Sequence, residues 1–476
     1  MNSEKDKLQT HKPMIKKALL FIFFALSVIN VWGQNSTKKP NILFIVADDW
    51  SKHAGIFGDK VVRTPNIDRL GKNGLIFDQA FCSAASCSPS RASILTGKHP
   101  HQIAEGGNLW GSLPVSIPNF VSLIQASGGF VGSEQKGWGP GNFKIGGYQD
   151  NPAGKTFKNF EEFLGEKPKD KPFFFWFGSI DPHRDYVKGT GEQAGLDPQK
   201  VKVPGFLPDT DVVRKDILDY YFEVERFDSN VGKLIATLES KGELENTLIV
   251  ITSDNGMPFP RAKATCYDSG TNIPLIMYWK GKIKPARSSE LISLIDLAPT
   301  MMDVMGIQKP TDLPSKSLIN LINGRPIAHR NAVFVERERH ANVRKGDLGY
   351  PVRGIRTKEF LYLRNFEPNR FPAGDPQKWV AVGPYGDIDD SPSKQLIMSD
   401  SANYAFFFNR TLKKRGSEEL YDLQNDPSQL HNLANEKRYD KQKNKLKIDL
   451  EAWMKRTNDP RLTNPNTNLW DKYPYY

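Results

Sequence analysis

The chain has 476 residues, 38% of them hydrophobic, with ordinary amounts of Gly, Pro and charge. That is ample for a sizeable core and more than one folding unit, and the lack of repeats or low-complexity tracts excludes solenoid and collagen-like architectures. The net charge of +11 suits acidic polymers, nucleic acid or polysaccharide, and equally suits simple solubility; charge alone does not choose.

Residues 16–34 read KKALLFIFFALSVINVWGQ. Two lysines precede a run of about a dozen apolar residues, and Val31 and Gly33 suit a small-residue cleavage site. The run is short for a stable membrane span, and no cysteine follows it to carry a lipid. The expectation is a signal peptide over 1–33, with Met14 as an alternative start, and export to the periplasm or beyond. Removing residues 1–33 takes away five lysines, Glu4 and Asp6 and leaves +8.

Asn41–Ala47 (NILFIVA) is a continuous apolar run, which predicts a strand buried on both faces. Pro65 and Asn66 open a short helix with Ile67 and Leu70 inward, ended by Gly71 or Gly74. A second helix covers 88–97, just after Cys87, and a third covers 117–128. Residues 173–179 (FFFWFGS) predict a buried strand ending in the loop IDPHRD. Residues 211–241 show long helical periodicity through Leu218, Phe222, Val231, Leu234 and Leu238. Thr247–Thr252 is a strand ending in SDNG, Ile273–Trp279 a further strand, and 296–305 a further helix. Strands alternating with helices imply a mostly parallel α/β sheet covered on both sides. From about 345 the texture changes: strands at Arg353–Leu363 and Glu419–Leu423 and a terminal amphipathic helix over 430–456 predict a smaller α+β domain. The expected limits are 38–340 for the larger domain, 345–458 for the smaller, and 459–476 as an extended tail.

Ligands of such sheets sit beyond the carboxyl ends of the strands, where three polar clusters converge here: DDW, IDPHRD and SDNG. Asp48 and Asp49 are adjacent carboxylates, which repel unless a cation lies between them. With Asp254 and Asn255 they make a hard oxygen set, suited to Ca²⁺ or Mg²⁺ rather than zinc. Each pair taken alone also fits a helix cap or a turn. Cys87 precedes a helix whose free N–H groups favour an anion, and Arg91 lies one turn in, able to grip an oxyanion or orient a neighbour. Cys87 read without that setting is an ordinary low-pKa thiol. Cys82 and Cys266 are left as a pair or, the preferred reading, as two buried thiols; three cysteines make no disulfide framework.

The run Cys87-Ser-Pro-Ser-Arg91-Ala-Ser-Ile-Leu95-Thr96-Gly97 resembles the C-x-P-S-R-x-x-x-L-T-G signature of type I sulfatases. The resemblance spans most of 40–435, including Asp48-Asp49, Asp254-Asn255 and the segment ELYDLQNDPSQLHNLA. It implies an alkaline-phosphatase-like α/β sandwich with a small C-terminal domain. It also implies that a formylglycine-generating enzyme oxidises Cys87 to formylglycine. The hydrate of that aldehyde attacks sulfur with one hydroxyl, and the other expels sulfate.

Residue by residue, the resemblance makes Asp48, Asp49, Asp254 and Asn255 ligands of one Ca²⁺ (or Mg²⁺), with modified Cys87 adding an oxygen. Arg91 steadies the formylglycine. His183 contacts the sulfate and the leaving oxygen and serves as the chief acid, and Lys263 and Lys136 bind sulfate; a strand-end structural histidine and a solvated loop lysine are the plain alternatives for His183 and Lys263. This chain departs from the pattern two residues after Lys136, where the family commonly has a histidine and Trp138 stands instead. Either another residue fills that role or His183 acts alone. The segments PHQIAEGGNLWGSLP, KGWGPG and DNPAG resemble the branch with heparan N-sulfatases and bacterial ulvan-type polysaccharide sulfatases. Glu105, Asn108, Trp110 and Trp138 become candidates for sugar contact, against a structural loop. The implied substrate is a sulfated polysaccharide or its oligosaccharides, with the algal polymer slightly preferred and nucleic acid not expected. Two rivals remain: a phosphatase or phosphodiesterase of the same superfamily, against which the CSPSR run argues, and a non-catalytic polyanion-binding homologue.

Overall fold

Seven strands form the main sheet in the spatial order β3-β4-β1-β5-β6-β2-β7. They are β1 (Asn41–Ala47), β2 (Leu75–Phe81), β3 (Phe130–Gln135), β4 (Phe173–Gly178), β5 (Thr247–Ser253), β6 (Asn272–Tyr278) and β7 (Ala286–Ser293). Every neighbouring pair is parallel except the two that involve β6, so one strand runs against six. The computed structural model describes residues 38–476 apart from 326, 381 and 382. The expected signal peptide lies outside the described residues. No helix among those described is long and apolar enough to cross a membrane.

The period-two alternation of β1 explains why its apolar run is unbroken. Ile42, Phe44 and Val46 enter a core on one face, with helices α2 (Cys87–Thr96) and α4 (Leu297–Met305). Leu43, Ile45 and Ala47 enter the core on the other, against α1 (Pro65–Lys72) and α3 (Asp211–Ser240). The central strands β1, β4 and β5 and the long helix α3 are the elements with the clearest apolar runs. By contrast β3 (FVGSEQ) and β7 (ARSSELIS), which stand out less in the sequence, are the two edges, where one side need not be apolar. The helix expected over 117–128 is Phe120–Ala126, begun by the Asn119 side chain accepting from the Ser122 N–H.

A second sheet, antiparallel, has the order β11-β10-β9-β8 and consists of β8 (Val333–Arg337), β9 (Val352–Arg356), β10 (Phe360–Asn365) and β11 (Glu418–Asp422). The strand expected at 353–363 is therefore a hairpin, β9–β10. Thr357 turns it, its Oγ1 accepting the Phe360 N–H. The helix expected over 430–456 is shorter, α5 (Asp440–Arg456). Residues 430–439 are held off it because Asp426 accepts the N–H groups of Leu430 and His431 and Asn432 that of Leu420. Residues Pro40–Tyr476 form a single compact unit, with β8 of the small sheet starting before residue 340.

A buried ionic cluster ties the small sheet to the last residues. Arg353 on β9 meets Asp459 (2.6 Å), Glu338 (2.8 Å) and Glu336 (3.0 Å), and Arg461 meets Glu338 (2.7 Å). Both guanidinium groups lie over the ring of Trp470, which is fully buried. The stretch 459–476, expected as an extended tail, is thus a packed strap. Trp470→Ala is expected to destabilise the chain by about 3–5 kcal/mol, as for other large-to-small core changes. Denaturant unfolding checks this; a shift within roughly 0.5 kcal/mol, as at an exposed site, would show the strap to be loose.

Candidate active site

The carboxyl ends of β1 and β5 lie side by side and place Asp48, Asp49, Asp254 and Asn255 together. Asp49 takes a left-handed backbone conformation (φ 69°), and its N–H donates to Asp254 Oδ1 (3.1 Å). Asn255 Nδ2 donates to Asp49 Oδ1 (2.6 Å). All four residues are buried.

Cys87 opens α2, with its Sγ 3.4 Å from Asp48 Oδ1. Arg91, one turn along the same helix, is completely buried. It donates to Asp254 Oδ2 (2.7 Å) and to the carbonyls of Lys136 (2.6 Å) and Gly137 (2.8 Å). Lys136 follows β3, and its N–H pairs with the Gly178 carbonyl at the end of β4. A Cβ on Gly178 would sit 1.6 Å from the Lys136 carbonyl oxygen, so only glycine lets the two loops come this close. Lys136 Nζ bonds Asp48 Oδ2 (2.6 Å). Lys263 Nζ donates to Asp49 Oδ2 (2.7 Å) and His183 Nε2 (3.0 Å) and forms an ion pair with Asp389 Oδ2 (3.1 Å). His183 also uses Nδ1, against the Arg184 carbonyl, so both its ring nitrogens are engaged.

Burial would raise the Asp48 carboxyl, but Lys136, His183, Arg91 and Lys263 outweigh it and hold the group well below the ordinary carboxylate range. Asp254 goes the other way: burial, only partly offset by Arg91 and reinforced by Asp48, pushes it up to about 6. Burial pushes the Cys87 thiol far up as well. A thiol so disfavoured as thiolate is a poor nucleophile as it stands.

The donor set fits a divalent cation. Atoms of Asp48, Cys87 and Asp254 lie within 4.8 Å of one another, and Asn255 Oδ1 is buried with no hydrogen-bond partner among the described residues. A cation would satisfy that oxygen and relieve the repulsion among the carboxylates.

A cleft of about 740 Å³ opens over the cluster, lined by Asp48, Cys87, Lys136, His183 and Lys263 among others. Five carboxylates (Asp48, Asp181, Asp185, Glu223, Asp389) line it against four cationic side chains (Lys136, Arg184, Arg226, Lys263), so the chain's positive charge is not concentrated there. Of the four sugar-contact candidates only Trp110 reaches the cleft, its ring 5.9 Å from that of Tyr475, which the strap brings in. Trp138 is buried in the core, with its backbone clamped by Asn151. Asn108 is buried, holding Arg339 N–H and the Trp470 carbonyl. Glu105 lies in the turn Ala104–Gly107, away from the cleft lining. Asp389, His340 and Tyr475 were not identified from the sequence; each is brought in from the region beyond residue 335, and no local pattern marks them. The three cysteines are free and buried.

The sulfatase family domain matches residues 40–307, the stretch that carries every one of the motif residues just described. The chain belongs to the sulfatase family. A second family domain, the C-terminal region of N-sulphoglucosamine sulphohydrolase, matches residues 261–371. The chain is 29% identical to human N-sulphoglucosamine sulphohydrolase over 94% of its own length and 96% of the relative's. It is 26% identical to an ulvan-active sulfatase of Formosa agariphila over 90% of its own length and 77% of the relative's. Among solved structures, one bound to its substrate D-glucosamine-2-N,6-O-disulfate superposes with a TM-score of 0.64 at 20% identity, covering 89% of this chain and 99% of that one. That likeness bears out the expected sandwich fold with its smaller C-terminal sheet. As a sulfatase, the chain is a sulfuric ester hydrolase.

The raised Asp254 carboxyl sets a pH dependence. Its shift from 3.8 to about 6 means that the folded protein without the cation holds a proton there that the unfolded chain releases. Stability without the cation therefore falls as pH rises through that window, and a cation must displace the proton below about 6. Added Ca²⁺ is expected to raise Tm more at about pH 7.5 than at about pH 5. Calorimetry checks it, and Asp254→Ala should remove the pH-dependent part of the gain.

Proposed function

We propose that this sulfatase releases sulfate from a sulfated glycan, working with formylglycine at position 87 and one Ca²⁺. The observation that carries the reading is Cys87 at the start of α2, in the CSPSR run, facing Asp48 between the ammonium groups of Lys136 and Lys263. A maturation enzyme that oxidises Cys87 is part of the proposal, since the buried thiol itself is a weak nucleophile. The hydrate at position 87 would supply one hydroxyl to attack sulfur and a second that, on losing its proton, would re-form the aldehyde as the C–O bond to sulfate breaks. A cation held by Asp48, Asp49, Asp254 and Asn255 would supply charge to polarise a sulfate oxygen and to balance the carboxylates.

The chain's own residues bind and position. Lys136, just beyond β3, and Lys263, in the loop after β5, reach the cluster from the same carboxyl end of the sheet and would hold the sulfate oxygens once a cation balances the carboxylates. Arg91, locked by Asp254 and two carbonyls, fixes the helix start and the Lys136 loop relative to the calcium ligands. His183 stays beside Lys263 on the sulfate side. Trp110, 39% exposed, and Tyr475 form an aromatic wall suited to the apolar face of a sugar ring.

The relatives named above support a glycan substrate. The match of residues 261–371 to the N-sulphoglucosamine sulphohydrolase region favours a sulfated glucosamine unit over the algal polymer slightly preferred from the sequence. Residues 16–34 support export to the periplasm or outside the cell.

Two outcomes test this. Cys87→Ala should abolish sulfate release while calorimetric unfolding is kept, and intact mass should show an aldehyde at Cys87 from a competent host. Activity above a few per cent in the variant would defeat the assignment. Trp110→Ala should raise KM for a sulfated oligosaccharide about 3–10-fold and leave an aryl sulfate unaffected. A defined panel of N-sulfated glucosamine and ulvan oligosaccharides, assayed for free sulfate, separates the two substrate classes.

A further inference from the structure

His340 follows β8 and lines the same cleft as Cys87, Lys263 and His183, although it belongs to the far end of the chain. Its Nδ1 is 2.8 Å from Ser86 Oγ. Ser86 is the residue before Cys87 and the N-cap of α2, yet its side chain makes no cap hydrogen bond. A serine at that position ordinarily serves the helix N–H groups. Here its hydroxyl is committed to a histidine of the other sheet, which ties the nucleophile's helix to the ring.

The two histidines of the cleft differ in what they can offer. His183 has both nitrogens in use, one on the Arg184 carbonyl and one on Lys263. His340 has one in use, and among the described residues no protein group takes its Nε2. When the Ser86 hydroxyl donates to Nδ1, the ring proton lies on Nε2, the nitrogen that no described group takes. Burial keeps this imidazole neutral, pulling its pKa down to about 3, so it donates a hydrogen bond without carrying a charge toward Lys263.

We propose that His340 is a substrate-contacting catalytic residue whose neutral Nε2–H hydrogen-bonds the leaving atom of the substrate as its bond to sulfur breaks; the proposal rests on the sulfatase reading. The attacking hydroxyl oxygen bonds to sulfur and gives up its proton to solvent as the bond from sulfur to the leaving atom breaks. The electron pair stays on the leaving atom, which His340 holds until solvent protonates it. A donor placed where charge develops acts mainly on poor leaving groups. This also answers what stands in for the histidine that Trp138 displaces, since Trp138 is buried away from the cleft.

The test compares matured wild type, His340→Ala, His340→Gln and Ser86→Ala on a sugar sulfate and on an aryl sulfate of low leaving-group pKa. His340→Ala is expected to lose kcat on the sugar sulfate on the order of 100-fold and less than about 10-fold on the aryl sulfate. His340→Gln, which keeps an N–H donor, should restore most of the loss, and Ser86→Ala should show a smaller loss with the same leaving-group bias. Where His340→Ala does not fold, the other two variants decide by that bias. Equal losses on both substrates, or wild-type rates throughout, would overturn the role of His340 alone. Matured wild type that releases sulfate from neither substrate would overturn the sulfatase reading and this one together.

Discussion

Three buried carboxylates, Asp48, Asp49 and Asp254, share the ends of two adjacent parallel strands, and their mutual repulsion is the constraint around which the rest is arranged. Adjacent strands in register leave no freedom to separate them, because Ala47 pairs with Ser253 immediately before both clusters. Three cations are drawn to this point: Arg91 to Asp254, Lys136 to Asp48, and Lys263 to Asp49. The protein groups still do not balance the site, as the raised Asp254 carboxyl and the unpartnered Asn255 Oδ1 indicate. A divalent cation held there would resolve both and free the lysines for an anion.

The same need explains why an anion can enter a cleft lined by more carboxylates than cationic side chains. Attraction would be supplied locally, by a cation at the carboxylates and by two lysines, rather than by the overall charge of +11. The outer carboxylates Asp181 and Glu223 are paired with Arg226, which lies between them.

The small sheet is part of the site and not an appendage. It delivers His340 to Ser86, and its ionic cluster anchors the strap that brings Tyr475 against Trp110. Buried ion pairs contribute little net stability over apolar packing, but removing one partner is costly. A cluster of Arg353, Arg461, Glu336, Glu338 and Asp459 therefore fixes where the strap lies more than it adds to overall stability.

The central elements were legible in the sequence because their signal is local. An unbroken apolar run reports burial on both faces, and a 30-residue helical period reports α3. The metal-type cluster, Cys87 and Arg91 were legible for the same reason, each being a short motif at a strand or helix end. The edge strands, the β9–β10 hairpin and the shortened last helix depended on which side a strand exposes and on single Asn, Asp and Thr hydrogen bonds. Trp138, Asn108 and Glu105 looked like surface residues of a binding loop, but the packing of β3 and the strap turned the first two inward and left Glu105 away from the cleft. Asp389, His340 and Tyr475 entered the cleft only through contacts between segments 126 to 365 residues apart in the sequence. The sequence by itself thus marked the candidate nucleophile and the carboxylate cluster suited to a cation, because their chemistry needs neighbours within a motif. Which other groups face the substrate was decided only by the tertiary structure, because long-range packing and buried charge pairing set the direction of each side chain.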